Sequence, residues 1–342
     1  MKTFICTLDY ELFGNGSGDI IEDIVKPTER LLAIARKHNL KFTIFFEAIE
    51  FLKIREYNRV NVGRGLYKET LEIVEKQIID AYLAGHDIQL HIHPQWWDAV
   101  LSDGKWKVGE NWSLGDFGSE EKIYSVIKAG KNYLEELIHR VDTNYRCIAI
   151  RAGGYMAQPG KSMCSAMKKL GLVIDSSVVP GDVLMSSRGG YDYSQISPES
   201  DYLYFDKLSG CESSEIIELP ITTFPLRRIR KLCSISAIKA RLSNKKSSLD
   251  SFAALGNNSL IKKIRYIFAS QWQTFDFCIL MPDIQRNFLK EALRSHKKLF
   301  VVIGHPKSFH DDKNFSFFMN YMAAKDVDFC TISEFYHRNF KA

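Results

Sequence analysis

The sequence lacks several features that would place it in a simple structural class. No run approaches the roughly 18 to 20 apolar residues that span a bilayer, and residues 1–8 lead straight into acidic residues without a signal-peptide core and cleavage site. The seven cysteines are odd in number, are scattered and form no CxxC, so neither a disulfide framework nor a thiolate zinc site is indicated. We therefore expect a cytoplasmic protein whose cysteines are mostly buried and reduced.

The chain has an ordinary globular composition and an uneven charge. Its 342 residues are 45% hydrophobic, which excludes wholesale disorder, and the length predicts one large domain with elaborations or two unequal ones. The net charge is +5, yet residues 220–270 carry eleven Lys and Arg against Asp250 alone, a local net charge of +10. The remainder therefore carries −5, which is typical of a mildly acidic enzyme rather than a protein that coats nucleic acid.

Strand-like and helix-like segments alternate along the chain. Short apolar, β-rich runs recur, and stretches with the helical spacing of apolar residues lie between them. This alternation predicts a parallel sheet of about seven or eight strands. The predicted strands cover residues 3–8, 42–46, 86–91, 145–150, 172–174, 216–219, 299–303 and 327–332, and the clearest predicted helices cover 26–38, 70–84, 120–139, 161–170 and 284–295.

Polar residues capable of chemistry follow the ends of five predicted strands. In a (β/α) barrel the carboxyl ends of the strands converge on one mouth, where such enzymes keep their active sites, whereas an open doubly wound sheet usually gathers ligands around one switch point. We therefore predict a distorted (β/α)7–8 TIM-like barrel over residues 1–220 and 280–342, with a basic, mainly helical insertion over 221–279. The polar residues are Asp9, Glu11, His91, His93, Arg151, Asp175 and His305.

The pair His91-x-His93 is a candidate metal clip. Residues i and i+2 of a strand share one face, so two imidazoles can bind one metal ion. An isolated HxH is more often a pair of exposed or hydrogen-bonded histidines, but Asp9-x-Glu11 has the same spacing at the end of another strand. Two histidines and one carboxylate with an open position are typical of a hydrolytic zinc site. A divalent metal, Zn²⁺, is therefore expected at the mouth.

Five motifs occur in order along the chain: TLDYE (7–11), GHDIQLHIHP (85–94), RAGGY (151–155), GLVIDSS (171–177) and GHP (304–306). Together they resemble the polysaccharide deacetylase family, also called the NodB-homology or carbohydrate esterase 4-like family. The resemblance runs from residue 3 to about residue 310. It implies a distorted (β/α)7 barrel that removes acyl groups, usually acetyl from N-acetylated sugars, with a divalent metal held by one carboxylate and two histidines.

The resemblance also implies a role for each polar residue. One carboxylate would be the general base, oriented by the motif arginine, and a histidine tuned by a second carboxylate would be the general acid. These are Asp9 with Arg151, and His305 with Asp175, while Glu11, His91 and His93 would be the metal ligands.

The sequence departs from the family pattern around these residues. The family typically has adjacent aspartates where this chain has Asp9-Tyr10-Glu11, and HxxxH where it has HxH. Gln95 occupies the position of the missing histidine, so either a contracted loop brings His93 in or Gln95 replaces a ligand. Tyr155 lies one residue beyond the usual tyrosine, so Gly154 or Tyr155 could supply the backbone oxyanion donor.

Substrate contacts are expected from aromatic residues and from the insertion. Trp96 and Trp97 follow the histidine clip in a tryptophan-bearing loop that either packs in the core or stacks on sugar rings, and Tyr155 is expected beside them. The insertion places apolar residues at helical spacing among cations, for which we consider a solvated cap, a contact with anionic membrane or lipid-linked glycan, and an anionic substrate such as a nucleotide sugar. No nucleic-acid partner is expected.

These observations predict a metal-dependent hydrolase that removes an acyl group, N-acetyl, from a sugar in a precursor of a surface polysaccharide. It would act in the cytoplasm, at the inner membrane face if the insertion binds lipid. A hydrolase of another C–N bond, such as a deformylase or cyclic-amide hydrolase, would use the same chemistry. A non-catalytic glycan-binding relative is the other alternative, but it would have no need of base, acid and metal ligands together.

Overall fold

The computed structural model describes residues 1–60, 67–211, 215–227 and 270–341. The chain divides into a larger unit of Met1–Thr222 with Phe275–Ala342 and a smaller unit of Thr223–Thr274. All of the site residues predicted from the sequence belong to the larger unit.

The described strands form one large sheet and three two-stranded sheets. In chain order they are β1 (Lys2–Tyr10), β2 (Thr43–Glu47), β3 (Asp87–Ile92), β4 (Val100–Ser102), β5 (Lys105–Lys107), β6 (Ala149–Ala152), β7 (Ile174–Asp175), β8 (Val183–Ser186), β9 (Gly189–Asp192), β10 (Leu203–Tyr204), β11 (Ile217–Glu218), β12 (Thr223–Arg227), β13 (Ser270–Thr274), β14 (Leu299–Gly304) and β15 (Val327–Phe329).

The large sheet is curled into a distorted barrel, as the sequence predicts. The strands lie in the order β10-β11-β7-β6-β3-β2-β1-β14, with β15 beside β1. β10 runs antiparallel to its neighbour β11, and the other pairs are parallel. The segment after β11 reaches β14, because Ile221 forms a parallel bridge with Val301 and Thr222 N–H donates to the Val301 carbonyl at 2.8 Å. Asp276 forms a further parallel bridge with Ile303, so these links join the two ends of the sheet.

Alternate residues of each strand face the interior of this barrel. Buried side chains from six of its strands, among them Ile5, Ala149 and Ile174, pack in one cluster. Because strand side chains alternate between two faces, residues an even number of positions away on the same strand also face inward. That parity places Asp9, four residues after Ile5, and Arg151, two residues after Ala149, inside the barrel at the carboxyl ends of their strands.

Helices lie between the strands, as expected of a (β/α) fold. The sequence missed α2, which begins directly after β2 without an intervening turn residue. The helices are α1 (Lys26–Lys37), α2 (Ala48–Val60), α3 (Lys68–Leu83), α4 (Glu120–Ile138), α5 (Lys161–Leu170), α6 (Asp206–Ser209), α7 (Pro282–Arg294), α8 (Asp312–Met322) and α9 (Ile332–Asn339).

The smaller unit begins and ends with strands. β12 pairs antiparallel with β13, from Thr223 opposite Thr274 to Arg227 opposite Ser270. The amphipathic helices predicted between them, and most of the basic residues, lie outside the described residues. Residues 275–279, which the sequence assigned to the insertion, belong to the larger unit. Within the described part of the chain, no helix has the length and apolar character needed to cross a membrane.

Candidate active site

Asp9 is a buried carboxylate at the end of β1, and Arg151 holds it. Its Oδ1 accepts a hydrogen bond from Arg151 Nη1 at 2.5 Å. Arg151 is fully buried and also donates to Thr7 Oγ1 at 2.9 Å, to the Ser176 carbonyl at 2.8 Å and to Ser176 Oγ at 3.0 Å. The guanidinium also packs on the Phe45 ring, 4.1 Å from its centroid. These contacts compensate the buried charge of Asp9 and fix its orientation.

Glu11, His91 and His93 converge on one point beside Asp9. Nε2 of His91 lies 3.0 Å from Oε2 of Glu11, and Nε2 of His93 is in still closer contact with the same oxygen. All three side chains are buried. His91 Nδ1 lies 2.9 Å from the Arg151 carbonyl, which can only accept, so this nitrogen carries a proton and Nε2 is the nitrogen that faces Glu11.

His93, rather than Gln95, faces Glu11. Gln95 lies on the other side of the imidazole, where its Nε2 is 2.9 Å from His93 Nδ1 and donates to the Gly14 carbonyl at 3.1 Å. Gly153 packs against the imidazole so closely that a Cβ there would come within 2.5 Å of the ring. The glycine of the RAGGY motif and the amide of Gln95 therefore fix the position of His93.

Lys307 is a cation at the site that the sequence analysis did not single out. Its Nζ lies 2.7 Å from Glu11 Oε1 and donates to the Leu12 carbonyl at 2.9 Å. Burial alone would raise the pKa of Glu11, but Lys307, His93 and His91 outweigh burial and hold that pKa well below its usual range. Glu11 is therefore ionised, with Oε1 bound by Lys307 and Oε2 facing the two imidazoles.

Glu47, the last residue of β2, holds the backbone of the histidine pair His91-x-His93. Its Oε2 accepts the His93 backbone N–H at 2.6 Å, and its Oε1 accepts the N–H groups of Ile49 and Glu50 at 3.1 and 3.3 Å. Burial raises the pKa of Glu47, and the neighbouring carboxylates of Glu50 and Glu11 add to that effect. Both oxygens are occupied by backbone donors, so Glu47 is a support for the site although its carboxylate lies close to the ligand atoms.

His305 follows β14 and faces Asp9 across the mouth. Its Nε2 lies 3.6 Å from Asp9 Oδ2 and 3.9 Å from Glu11 Oε1, and its Nδ1 lies 2.7 Å from Asp276 Oδ2. Burial alone would lower the pKa of His305, but the hydrogen bond and charge of Asp276, together with Asp9, raise it. The imidazolium therefore persists to higher pH than that of a free histidine.

The assignment of Asp175 as the partner of His305 is wrong, because Asp276 occupies that position. Ile174 faces the barrel interior, so its neighbour Asp175 points to the opposite face of the sheet. Sequence reasoning missed Asp276 because it lies in a short segment after the insertion that forms only an isolated bridge and shows no strand periodicity.

The tryptophans differ in their access to the mouth. Trp96 is 1% exposed and packs edge-on against Trp106 with the ring centroids 5.6 Å apart, so its expected role in sugar stacking is wrong and the core interpretation holds. Trp97 is half-buried, with Lys53 Nζ 5.6 Å from its ring centroid. Trp112 borders the site more closely, because a Cβ on Gly14 would lie 3.2 Å from its ring.

Tyr155 lies beside the proposed base and acid, in the short turn after β6. Its backbone has φ of 65°, which is rare outside glycine, and the Tyr193 hydroxyl donates to its carbonyl at 2.9 Å. Burial raises the pKa of its phenol well above the usual value, and the carboxylates of Asp9 and Asp276 add to this effect. The hydroxyl is therefore a neutral hydrogen-bond donor at the mouth.

The arrangement of Glu11, His91 and His93 fits a divalent metal. The two imidazoles and one carboxylate oxygen face one point, and His91 has the tautomer of a metal ligand. A metal at His93 Nε2 requires the proton on Nδ1, next to the Gln95 amide. Gln95 Oε1 is buried without a donor, so a turn of that amide supplies the needed acceptor.

Solved structures similar to this one come from several kinds of enzyme. A branching enzyme of the GH57 type from Thermococcus kodakaraensis superposes with a TM-score of 0.51 and 11% identity over 100% of this chain and 71% of that chain. Proteins described as polysaccharide deacetylases from Mycobacterium smegmatis and Pseudomonas aeruginosa give TM-scores of 0.48 and 0.49 at 13% and 12% identity, over 98% and 99% of this chain and 89% and 92% of theirs.

No family model and no curated protein matches the sequence. At identities of 11 to 13% the likeness concerns the fold alone. Proteins described as polysaccharide deacetylases are among the solved structures that the chain matches at this level of identity.

Proposed function

We propose that this protein is a metal-dependent hydrolase that removes an acyl group, N-acetyl, from a sugar. The observation that carries the proposal is that three groups occupy one barrel mouth: a buried carboxylate held by an arginine, a cluster of one carboxylate and two imidazoles, and a histidine paired with an aspartate. Asp9 is held by Arg151, Glu11 is ionised against two imidazoles, and His305 lies 3.6 Å from Asp9 with its own carboxylate partner behind it. Metal-assisted amide hydrolysis uses groups of these three kinds as the base, the metal ligands and the acid.

The geometry gives Asp9 and His305 complementary proton-transfer roles. Asp9 Oδ1 is bound to Arg151, so Oδ2, which faces the mouth, is the oxygen that takes a proton from the attacking water. Asp276 favours the cationic form of His305, and Nε2 of His305 faces the same part of the mouth as Asp9 Oδ2. His305 therefore donates a proton to the leaving amine. The two groups start in opposite protonation states, as a base and an acid in one reaction must.

When bound, a divalent metal supplies Lewis-acid catalysis by polarising the carbonyl and making water more acidic. Glu11, His91 and His93 would hold it, and Lys307 would hold the second oxygen of Glu11 away from it. Tyr155 and Trp112 would contact the substrate, since the phenol of the first is a neutral donor and the ring of the second borders the mouth.

A carbohydrate amide is the proposed substrate, and the decisive test is acetate release. Purified protein incubated with N-acetylglucosamine oligomers should release acetate, lose activity after chelation and regain it on addition of Zn²⁺. An Asp9→Asn variant, which should retain metal, controls for contaminating hydrolases. Release of ammonia or formate from cyclic amides or formamides, with no release from acetylated sugars, would favour a different C–N hydrolase.

The insertion is proposed to bring the enzyme to anionic membrane or lipid-linked glycan in the cytoplasm. The support is the net charge of +10 over residues 220–270, where the cations surround apolar residues at helical spacing. Replacement of Arg227, Arg228, Arg230 and Lys231 with Ser should weaken sedimentation with anionic vesicles at low salt and leave hydrolysis of a small soluble substrate nearly unchanged, since the site residues lie outside the insertion. Wild-type protein that does not bind such vesicles would favour the solvated-cap interpretation.

A further inference from the structure

A second pair of buried carboxyl groups lies on the outer face of the barrel. Asp175 of β7 and Glu218 of β11 are direct partners in the parallel register, and both are 0% exposed. Ile174 and Ile217, which precede them, belong to the interior cluster. The two carboxyls therefore point away from the mouth and toward each other across adjacent strands.

Each carboxyl has one oxygen satisfied by a donor and one without a donor. Asp175 Oδ1 accepts the Ser177 hydroxyl at 2.7 Å, and Glu218 Oε1 accepts the Val178 N–H at 3.0 Å. Asp175 Oδ2 and Glu218 Oε2 are buried and have no hydrogen-bond donor among the residues that the structure describes, and the two side chains lie close enough to interact directly. Ionised carboxylates only accept hydrogen bonds, so a bond between these oxygens requires a proton.

The surroundings do not supply enough positive charge for two ionised groups. Arg151 of β6 is the cation that acts on Asp175, and it is already bound to Asp9. Tyr193, which faces both carboxyls, is uncharged. Burial raises the pKa of Asp175 and raises that of Glu218 well above its usual value.

The pair is connected to the proposed base through two serines. Ser177 Oγ donates to Asp175 and accepts the backbone N–H of Ala152 at 2.8 Å. Its neighbour Ser176 accepts two hydrogen bonds from Arg151, one at its carbonyl and one at its hydroxyl. The interaction of Asp175 with Glu218 therefore also fixes the segment of Ser176 and Ser177, to which Arg151 is hydrogen-bonded.

We propose that Asp175 and Glu218 share one proton, and that the pair is a positioning device that holds Ser176 and Ser177 against β6 and so orients Arg151 on Asp9. The positioning half of this inference rests on the proposed function. The shared proton does not, because it follows from the register, the burial and the two oxygens without donors.

Amide substitutions test the shared proton. In Asp175→Asn and in Glu218→Gln an amide N–H replaces the shared proton and one negative charge remains, so at about pH 7 both variants should unfold at nearly the wild-type urea midpoint. Because the carboxyl pKa values are raised in the folded state, wild-type stability should fall as the pH rises above the usual range of a carboxyl group. Both amide variants should lose the part of this dependence that the pair contributes, while the part due to Glu47 and Glu50 remains. Glu199→Gln, at an exposed carboxylate, should leave it unchanged.

Two results would overturn the shared proton. The first is an amide variant much more stable than wild type at about pH 7, which would mean that two buried charges had been present. The second concerns the infrared spectrum. The proposal predicts a C=O stretch of a protonated carboxylic acid in wild type that is lost in Glu218→Gln, and a wild-type spectrum without such a band would overturn it. Neither measurement needs a substrate, so their outcome is separate from that of the proposed function.

The positioning half is tested by Asp175→Ala, which removes the acceptor of Ser177. We expect kcat to fall at least about tenfold with KM and metal content nearly unchanged, and Asp175→Asn to restore most of kcat because it keeps that acceptor. Folded Asp175→Ala protein with wild-type kcat would overturn the positioning role. If wild-type protein hydrolyses no acyl-sugar, the proposed function fails, and the urea and infrared data still decide the shared proton.

Discussion

Glu11 and Glu218 are buried glutamates at the ends of strands of the same barrel, and the protein holds them in opposite charge states. Glu11 has a pKa well below its usual range, whereas that of Glu218 is raised well above it. Burial acts in the same direction on both, so it cannot explain the difference. The neighbours do: Glu11 contacts Lys307 and two imidazoles, whereas Glu218 faces Asp175.

The parity of the strands decides which carboxyl receives which neighbours. Inward-facing positions at the carboxyl ends meet side chains from other parts of the barrel, among them the cations Arg151 of β6 and Lys307, which follows β14. Asp175 is one residue out of that phase and meets another carboxyl instead. A shift of one residue along a barrel strand therefore decides whether a polar side chain at the end of that strand lies in the site or outside it.

The largest expected effect comes from removing the charge of the proposed base. Asp9→Asn should lower kcat by about two to four orders of magnitude, the usual contribution of a positioned proton-transfer group, while metal content stays at the wild-type level. Steady-state kinetics with elemental analysis of the same samples are the measurement. Near-wild-type kcat would remove Asp9 from the mechanism.

A smaller effect is expected when Lys307 is removed, because the pKa of Glu11 should then shift toward the raised pKa of Glu218. Lys307→Met should raise the pKa of Glu11, because burial is then opposed by the imidazoles alone. Metal affinity should fall by about tenfold or more near neutral pH, and further as the pH is lowered, since a protonated Glu11 cannot bind the ion. Lys313→Met, at an exposed lysine, is the control. Unchanged affinity across the pH range would contradict the role of Lys307.

The smallest expected effect is a displacement of the pH profile. Asp276 raises the pKa of His305, so Asp276→Asn should lower it. Because the proposed general acid must be protonated, kcat falls as the pH rises through this pKa, and the variant should begin its decline at lower pH than wild type. A variant whose alkaline limb coincides with that of wild type would show that Asp276 does not set the protonation of His305.

The sequence predicted the parts of this site that periodic strands carry. Asp9, His91, Arg151 and His305 end strands whose apolar runs are evident in the sequence, and the structure brings them to one mouth. Glu47 carries the same strand-end signal, because it directly follows the predicted strand at 42–46.

Three features could not be read from the pattern of residues. Asp276 lies beyond an insertion, in a segment too short for a periodic signal. Lys307 lies four residues past a predicted strand end, and only the three-dimensional path of the chain brings it to Glu11. The pairing of Asp175 with Glu218 depends on the register of two strands that are each two residues long, and so short a strand leaves its inward face undefined in sequence.

The central claim is that Glu11, His91 and His93 hold a divalent metal at the mouth of the barrel. Calorimetric titration of chelator-treated protein with Zn²⁺ tests it most directly. The account predicts one ion bound per chain in wild type, no binding at this site in Glu11→Ala, His91→Ala or His93→Ala, and binding with reduced affinity in Gln95→Ala. Full binding by His93→Ala together with its loss in Gln95→Ala, or no binding by wild type, would contradict it.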